Sequence, residues 1–210
     1  MRRIGEENCL TTRSGVPLRT TKILQYNNFT EIHDEVISIG QQDTSASAQG
    51  KLNLYTFDFL IDCRGTPSTE ITEYIQRSKT ATELKIHSKW SVNEKTAMEA
   101  ALGMSYAGKR ALTVMKHVGL NVAADVFMNM SVSGINGGLV VVVADDPSMH
   151  SSQNEQDSRY YGKFAMIPIL EPSTQQECYE ITKYAFELSE NLGLPVMIRL
   201  VTRLSHSRAG

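Results

Sequence analysis

The strongest pattern in the chain is the apolar run at residues 138–144 (GLVVVVA), followed at once by thirteen polar-rich positions, 145–157 (DDPSMHSSQNEQD). A continuous β-branched run of that length predicts a parallel strand covered on both faces, at the centre of a sheet. Residues 111–115 (ALTVM) predict a second buried strand and residues 116–119 (KHVG) its exit loop. Residues 54–61 (LYTFDFLI) predict a first strand, with Gly65-Thr66-Pro67 as the turn behind it. Thr66 as N-cap and Pro67 at the first helical position then predict a helix through Ile71 and Ile75. Residues 81–90 read as a weak strand or an extended connection, and Pro195 opens a last strand over residues 195–201 (PVMIRLV).

Between these runs the spacing changes to the helical period. A helix opening at Ser91-Val92-Asn93-Glu94 carries an almost wholly small inward face of Ala97, Ala100, Ala101, Met104 and Gly108. Residues 120–132 predict a helix with Val122, Val126, Phe127 and Met130 inward; a short helix through Tyr160 and Phe164 leads to a strand at 167–170. Residues 173–191 predict a helix with Ser173 and Gln176 in capping-box spacing, Cys178, Ile181, Ala185 and Leu188 on one face, and Gly193 at its end. Strand and helix alternate throughout, so the fold class is α/β, a parallel sheet with helices on both faces. Such a sheet presents its site in the loops at the carboxyl ends of the strands.

Residues 1–52 read differently. They are polar with scattered charge, and residues 41–50 (QQDTSASAQG) have the composition of a flexible linker. A short amphipathic helix is predicted at residues 30–39, with Ile32, Val36 and Ile39 on one face; the segment as a whole is expected to be poorly ordered. At 210 residues, 41% hydrophobic and 21% charged, the chain suffices for one well-buried domain with a short extension. A net charge of −2 with mixed signs and no basic stripe argues against a nucleic-acid partner. Cys9, Cys63 and Cys178 stand far apart, which encodes neither a disulfide framework nor a cysteine metal site. No apolar run approaches the roughly 18 residues of a membrane span, and no signal-type core opens the chain, so the expectation is a cytoplasmic protein without a membrane partner.

The candidate chemistry lies in the polar loops. Glu94 has two readings: with Ser91 it has capping-box spacing and can serve the helix N-terminus, or it points a carboxyl group into a cofactor cleft. Lys116 and His117 leave a strand together beside Asn121, a grouping suited to an anionic carboxylate substrate or, equally, to a solvated loop. His150, Gln153, Asn154, Glu155 and Asp157 share one loop; without converging His or Cys ligands they fit substrate hydrogen bonding or stitching to a neighbouring chain better than a metal. There is no GxGxxG after the first strand, no P-loop and no GxSxG elbow, so pattern alone names no reaction.

Longer stretches are distinctive. NEKTAMEAALGMSYAGKRALTVMKHVGLNVAAD, GGLVVVVADDPSMHSSQNEQDSRYYGKFA, IPILEPS, AFELSENLGLPVMIRLVTRLSHSR and, upstream, GTPSTEI resemble the indolepyruvate ferredoxin oxidoreductase alpha-subunit family, within the thiamine-diphosphate-dependent 2-oxoacid:ferredoxin oxidoreductases. The resemblance covers residues 65–208 and implies that residues 53–208 form the family's pyrimidine-binding domain. It implies oxidative decarboxylation of an aryl pyruvate, with coenzyme A taken into a thioester and electrons passed through iron–sulfur clusters to ferredoxin. By the same resemblance Glu94 matches the acid that hydrogen-bonds the cofactor's aminopyrimidine ring. A carboxyl there favours the imino tautomer, whose exocyclic nitrogen can remove the C2 proton. Thr66 matches a position that faces substrate and cofactor; Lys116, His117, Asn121 and the loop of His150, Gln153 and Asn154 are substrate-side candidates by their place in the motifs.

The resemblance also sets expectations about what lies elsewhere. The family's diphosphate-binding domain with its Mg2+ site, and the cysteine clusters that hold 4Fe-4S centres, have no counterpart in these residues. The thiamine diphosphate site is therefore expected to be shared with a diphosphate-binding domain in cis or in trans, beside a beta subunit and ferredoxin, in an oligomer, and the chain is expected to be inactive alone. The family reads Tyr-Pro before Gly-Thr-Pro-Ser where this sequence has Cys63-Arg64, and residues 1–62 lack its glycine- and alanine-rich opening helix, a break that an altered upstream reading frame would explain. Two alternatives stand beside the parent-enzyme reading: one chain of a split thiamine diphosphate 2-oxoacid decarboxylase, and a non-catalytic remnant that keeps only an association surface.

Overall fold

A computed structural model describes residues 57–63 and 65–207. The expectations for residues 1–52, including the helix at 30–39 and the linker at 41–50, lie outside the described residues, as do positions 54–56 of the first strand. Within them the chain runs β1 (Phe59–Asp62), α1 (Thr69–Arg77), α2 (Lys79–Glu83), β2 (His87–Trp90), α3 (Glu94–Tyr106), β3 (Ala111–Lys116), α4 (His117–Val122) and α5 (Ala124–Ser133). It continues through β4 (Leu139–Asp145), a 3-10 turn at Pro147–Met149, α6 (Arg159–Ala165), β5 (Ile169–Leu170), α7 (Gln175–Leu192), β6 (Val196–Val201) and α8 (Thr202–Ser205).

The strands form one six-stranded sheet in the order β2-β1-β3-β4-β6-β5. Each neighbouring pair is parallel, with registers such as Ile61 to Thr113, Val114 to Val142 and Val142 to Ile198. All seven residues of β4 are buried, as a central strand with both faces covered requires. The pleat sends alternate residues to opposite sides. Leu139, Val141 and Val143 join Ile61, Met115 and Met197 in one core with Ala97, Met98 and Ala101 of α3 and Phe127 and Met130 of α5. Val140, Val142 and Ala144 are equally buried on the other face, where α7 packs on β4 and β6 and contributes Cys178, Ala185 and Phe186.

Several boundaries differ from the sequence expectation. The helix foreseen at 120–132 is two helices: α4 starts at His117, directly off β3, and Ala123 (φ −87°, ψ 3°) interrupts the run before α5. The break turns Val122 outward, to 50% exposure, where an unbroken helix placed it inside. Thr66 is not an N-cap. The turn runs one step further, Ser68 precedes α1, and Thr69 Oγ1 accepts from Gly65 N–H at 2.9 Å. In α7 the capping box belongs to Thr174 and Glu177 rather than Ser173 and Gln176. The strand expected over 167–170 pairs only at Ile169–Leu170, and the extended connection at 81–90 holds the end of α2 and then β2. Among the described residues no helix is long and apolar enough to cross a membrane.

Candidate functional site

The sheet order fixes where a cleft can form. From β1 the chain moves outward to β2, then crosses back over β1 to β3 and continues the other way, so the strand order reverses between β1 and β3. The carboxyl ends of these two strands diverge into a crevice at that switch point. Three segments line it: Asp62 and Cys63 leaving β1, the start of α3, and the β3–α4 junction.

Glu94 enters this crevice as the first residue of α3. The N-cap is Asn93, in extended conformation (φ −157°, ψ 170°), and its Oδ1 accepts from Thr96 N–H at 2.8 Å. The expected pairing of Glu94 with Ser91 is therefore not formed; Ser91 N–H instead donates to the backbone oxygen of Asp62 at 2.7 Å. Asn93 closes the helix end and leaves the half-buried Glu94 carboxyl uncommitted to capping. Gly119 of α4 lies directly against it: a Cβ there would fall 2.6 Å from Glu94 Cγ and 2.7 Å from Oε1. Only glycine lets the α4 backbone come so close to that carboxyl.

Asp62 and Cys63, which the sequence reading did not single out as site residues, complete this side. Asp62 is fully buried, accepts from Thr72 Oγ1 at 2.5 Å through Oδ2, and has no partner for Oδ1. Burial pushes its carboxyl up to about 8, against the hydrogen bonds from Thr72 and the Cys63 backbone and with a further push from the charge of Glu94. The half-buried Cys63 thiol is pushed up to about 11, first by burial and then by the negative charges of Glu94 and Asp62. At neutral pH both groups hold their protons beside Glu94. The only sequence signal was position: a polar pair ending an apolar strand.

The other wall is the long loop after β4, and most sequence candidates serve to fasten it. His117 is fully buried, with Nδ1 3.3 Å from Ala144 O and Nε2 2.8 Å from Asn154 Oδ1 and 3.0 Å from Asn154 O. It ties β3 to β4 and to the loop. Asn121 and Gln156 exchange amide hydrogen bonds, and Tyr161 donates to Asn121 Oδ1. Thr66 is exposed, and its hydroxyl donates to Ser151 O at 3.0 Å. Lys116 donates to Gln153 Oε1 at 2.9 Å. His150 is exposed and stands apart from this group, its backbone N–H directed to Asp146.

Two buried aspartates hold the loop from below. Asp146 accepts from the backbone N–H groups of His150, Ser151 and Ser152 and from Thr202 Oγ1. Burial opposes its charge, but the hydrogen bonds from Thr202 and the loop outweigh it and hold the carboxyl below the usual range. Asp145 accepts from Ser158 N–H at 2.9 Å and Arg199 Nε at 2.5 Å. Among the described residues no three His, Cys, Asp or Glu side chains converge to hold a metal ion.

An all-parallel sheet with its polar groups gathered at the switch point defines a ligand-binding domain of the doubly wound α/β class. Residues 66–209 match the family described as pyruvate flavodoxin/ferredoxin oxidoreductase, thiamine diphosphate-binding, and the chain belongs to that family. It is 51% identical over 176 residues to the indolepyruvate oxidoreductase subunit IorA of Pyrococcus horikoshii, covering 83% of this chain and 26% of that protein. It is 54% identical over 144 residues to the subunit of the same name from Thermococcus kodakarensis, covering 69% and 22%. The chain thus spans about a quarter of the length of the curated relatives it matches. Among solved structures, the 2-oxoglutarate:ferredoxin oxidoreductase of Magnetococcus marinus shares the fold, with a TM-score of 0.64 at 21% identity over 72% of this chain and 27% of that one.

Proposed function

We propose that the chain supplies the pyrimidine-side half of the thiamine diphosphate site of an indolepyruvate:ferredoxin oxidoreductase, with Glu94 as the acid that hydrogen-bonds the aminopyrimidine ring. The observation that carries this reading is the Glu94 carboxyl itself: it sits at the switch point, is relieved of capping by Asn93, and is backed by a glycine. The donor set fits the group. A ring nitrogen requires one carboxyl able to hold or accept a proton, and Glu94 is half-exposed toward the crevice while Asp62 behind it is buried and neutral. Thiamine diphosphate, when bound, supplies the electron sink that a 2-oxo acid needs to lose carbon dioxide. Glu94 holds the pyrimidine edge and exchanges a proton with its ring nitrogen, and the neutral Asp62 adds no second negative charge to oppose it. His117, Asn121, Asn154 and Gln156 keep the facing wall in place.

The diphosphate and its Mg2+ fall to a diphosphate-binding domain in cis or in trans, and the 4Fe-4S clusters, beta subunit and ferredoxin to the rest of the assembly. The reading is tested by combining the full chain with the part of the Pyrococcus horikoshii subunit that lies beyond the matched region. Calorimetry follows thiamine diphosphate binding, and reduction of ferredoxin with indolepyruvate and coenzyme A follows turnover. The pair binds the cofactor where neither part does alone, and it reduces ferredoxin once the beta subunit is added. An assembled pair that ignores thiamine diphosphate sinks the proposal; release of aldehyde without ferredoxin reduction turns it into a decarboxylase.

A further inference from the structure

We propose that Lys116 is the residue that selects a 2-oxo acid by its carboxylate; the inference rests on the reading of the crevice given above. Lys116 ends β3, three positions before the glycine that touches Glu94, so Lys116 and Glu94 both stand at the carboxyl end of β3. Its ammonium carries three donors. One is taken by Gln153 Oε1, a neutral amide, and among the described residues no carboxylate pairs with it. A half-buried cation with an uncharged partner leaves two donors and an uncompensated positive charge at the place where a ligand enters.

The stem of the side chain is held for this purpose. It lies along Gly65, where a Cβ would come within 3.1–3.3 Å of Lys116 Cδ, Cγ and Cε, so a side chain at position 65 would shift the stem by a few tenths of an ångström. Gly65 is in turn pinned, its N–H on Thr69 Oγ1 and its carbonyl accepting from Ser68 Oγ at 2.6 Å. The next residue, Thr66, fixes the turn to Ser151 of the opposite wall. The side chain is thus steadied along its stem by Gly65 and at its tip by Gln153, and its ammonium is suited to a carboxylate adjacent to a carbonyl carbon. A loop-fastening role would use the Gln153 bond and no ligand.

Two variants separate these roles. The full chain is titrated with 3-indolepropionate, an aryl carboxylate with no 2-oxo group, by calorimetry and ligand-observed NMR. In the reconstituted enzyme the KM for indolepyruvate, the KM for coenzyme A and the Kd for thiamine diphosphate are measured separately. Lys116→Met weakens the carboxylate probe and raises the KM for indolepyruvate tenfold or more, a loss in the range of a charge-assisted hydrogen bond. Lys116→Arg keeps part of both. The Kd for thiamine diphosphate and the KM for coenzyme A stay unchanged. Equal probe affinity in the wild type and Lys116→Met, or absence of probe binding to either, overturns the proposal. So does a loss confined to thiamine diphosphate or coenzyme A, which would assign the charge to a phosphate. Failure of the wild-type pair to bind thiamine diphosphate would fell the functional reading, while the probe titration of the chain still decides Lys116.

Discussion

Glu94, Asp62 and Cys63 stand together at the candidate site, and its character depends on which of them carries charge. Asp62 is buried with one oxygen unpartnered, and its carboxyl stays protonated up to about pH 8. Its unfolded counterpart ionises near the ordinary carboxyl value of 3.8, so the folded chain binds the extra proton across the interval between. Linkage sets the sign: the contribution of Asp62 is fully present below its unfolded value, declines as pH rises, and is lost once pH passes the folded value. Asp62→Asn keeps the acceptor for Thr72 and removes the titration. Urea unfolding at pH 5 and pH 9 therefore shows a steeper loss of stability in the wild type than in Asp62→Asn, by at least about 1 kcal/mol between the two pH values. Parallel pH profiles would mean that Asp62 is ionised in the fold. None of this was legible from the sequence. Burial of an aspartate at the end of β1 depends on Thr72 of α1 and on the return of β2 past it, contacts separated along the chain.

At the scale of elements the reading was close wherever one physical signal dominated. The run at 138–144 became β4, ALTVM became β3, and the period of Cys178, Ile181 and Ala185 became the inner face of α7. It slipped where two residues compete for one role. Ser91 and Asn93 are both good caps, and Ser173 and Thr174 stand side by side; in α7 the Glu177 carboxylate, a stronger acceptor than the Gln176 amide, settles the choice for Thr174. The correction at α3 matters for function, because a Glu94 engaged in a capping box would not be available to a ligand. Asn93→Ala is expected to destabilise the domain by about 1 kcal/mol and Ser91→Ala by less than about 0.5 kcal/mol, as chemical denaturation would show. The reverse order would restore Ser91 as the cap. The split of α4 from α5 had no signal in the pattern, since Ala123, where the run breaks, is a good helix former.

The described residues form one parallel sheet covered on both faces, and everything proposed for the chain lies at the carboxyl ends of its strands. Fastening the loop after β4 absorbs His117, Asn121, Asn154 and Gln156, which leaves Glu94 and Lys116 facing the crevice with capacity to spare. On the function proposed above, a site placed there is the pyrimidine-side half of a cleft. The resemblance in the sequence points to Glu94, and the geometry supports the proposal in that Asn93, not Glu94, closes the start of α3. The measurement that tests this most directly is indolepyruvate turnover by Glu94→Gln in the assembled complex, with thermal unfolding of the same preparation as the check on folding. The account predicts a fall of about 10²–10⁴-fold with the melting temperature unchanged, whereas turnover within a few-fold of the wild type would contradict it.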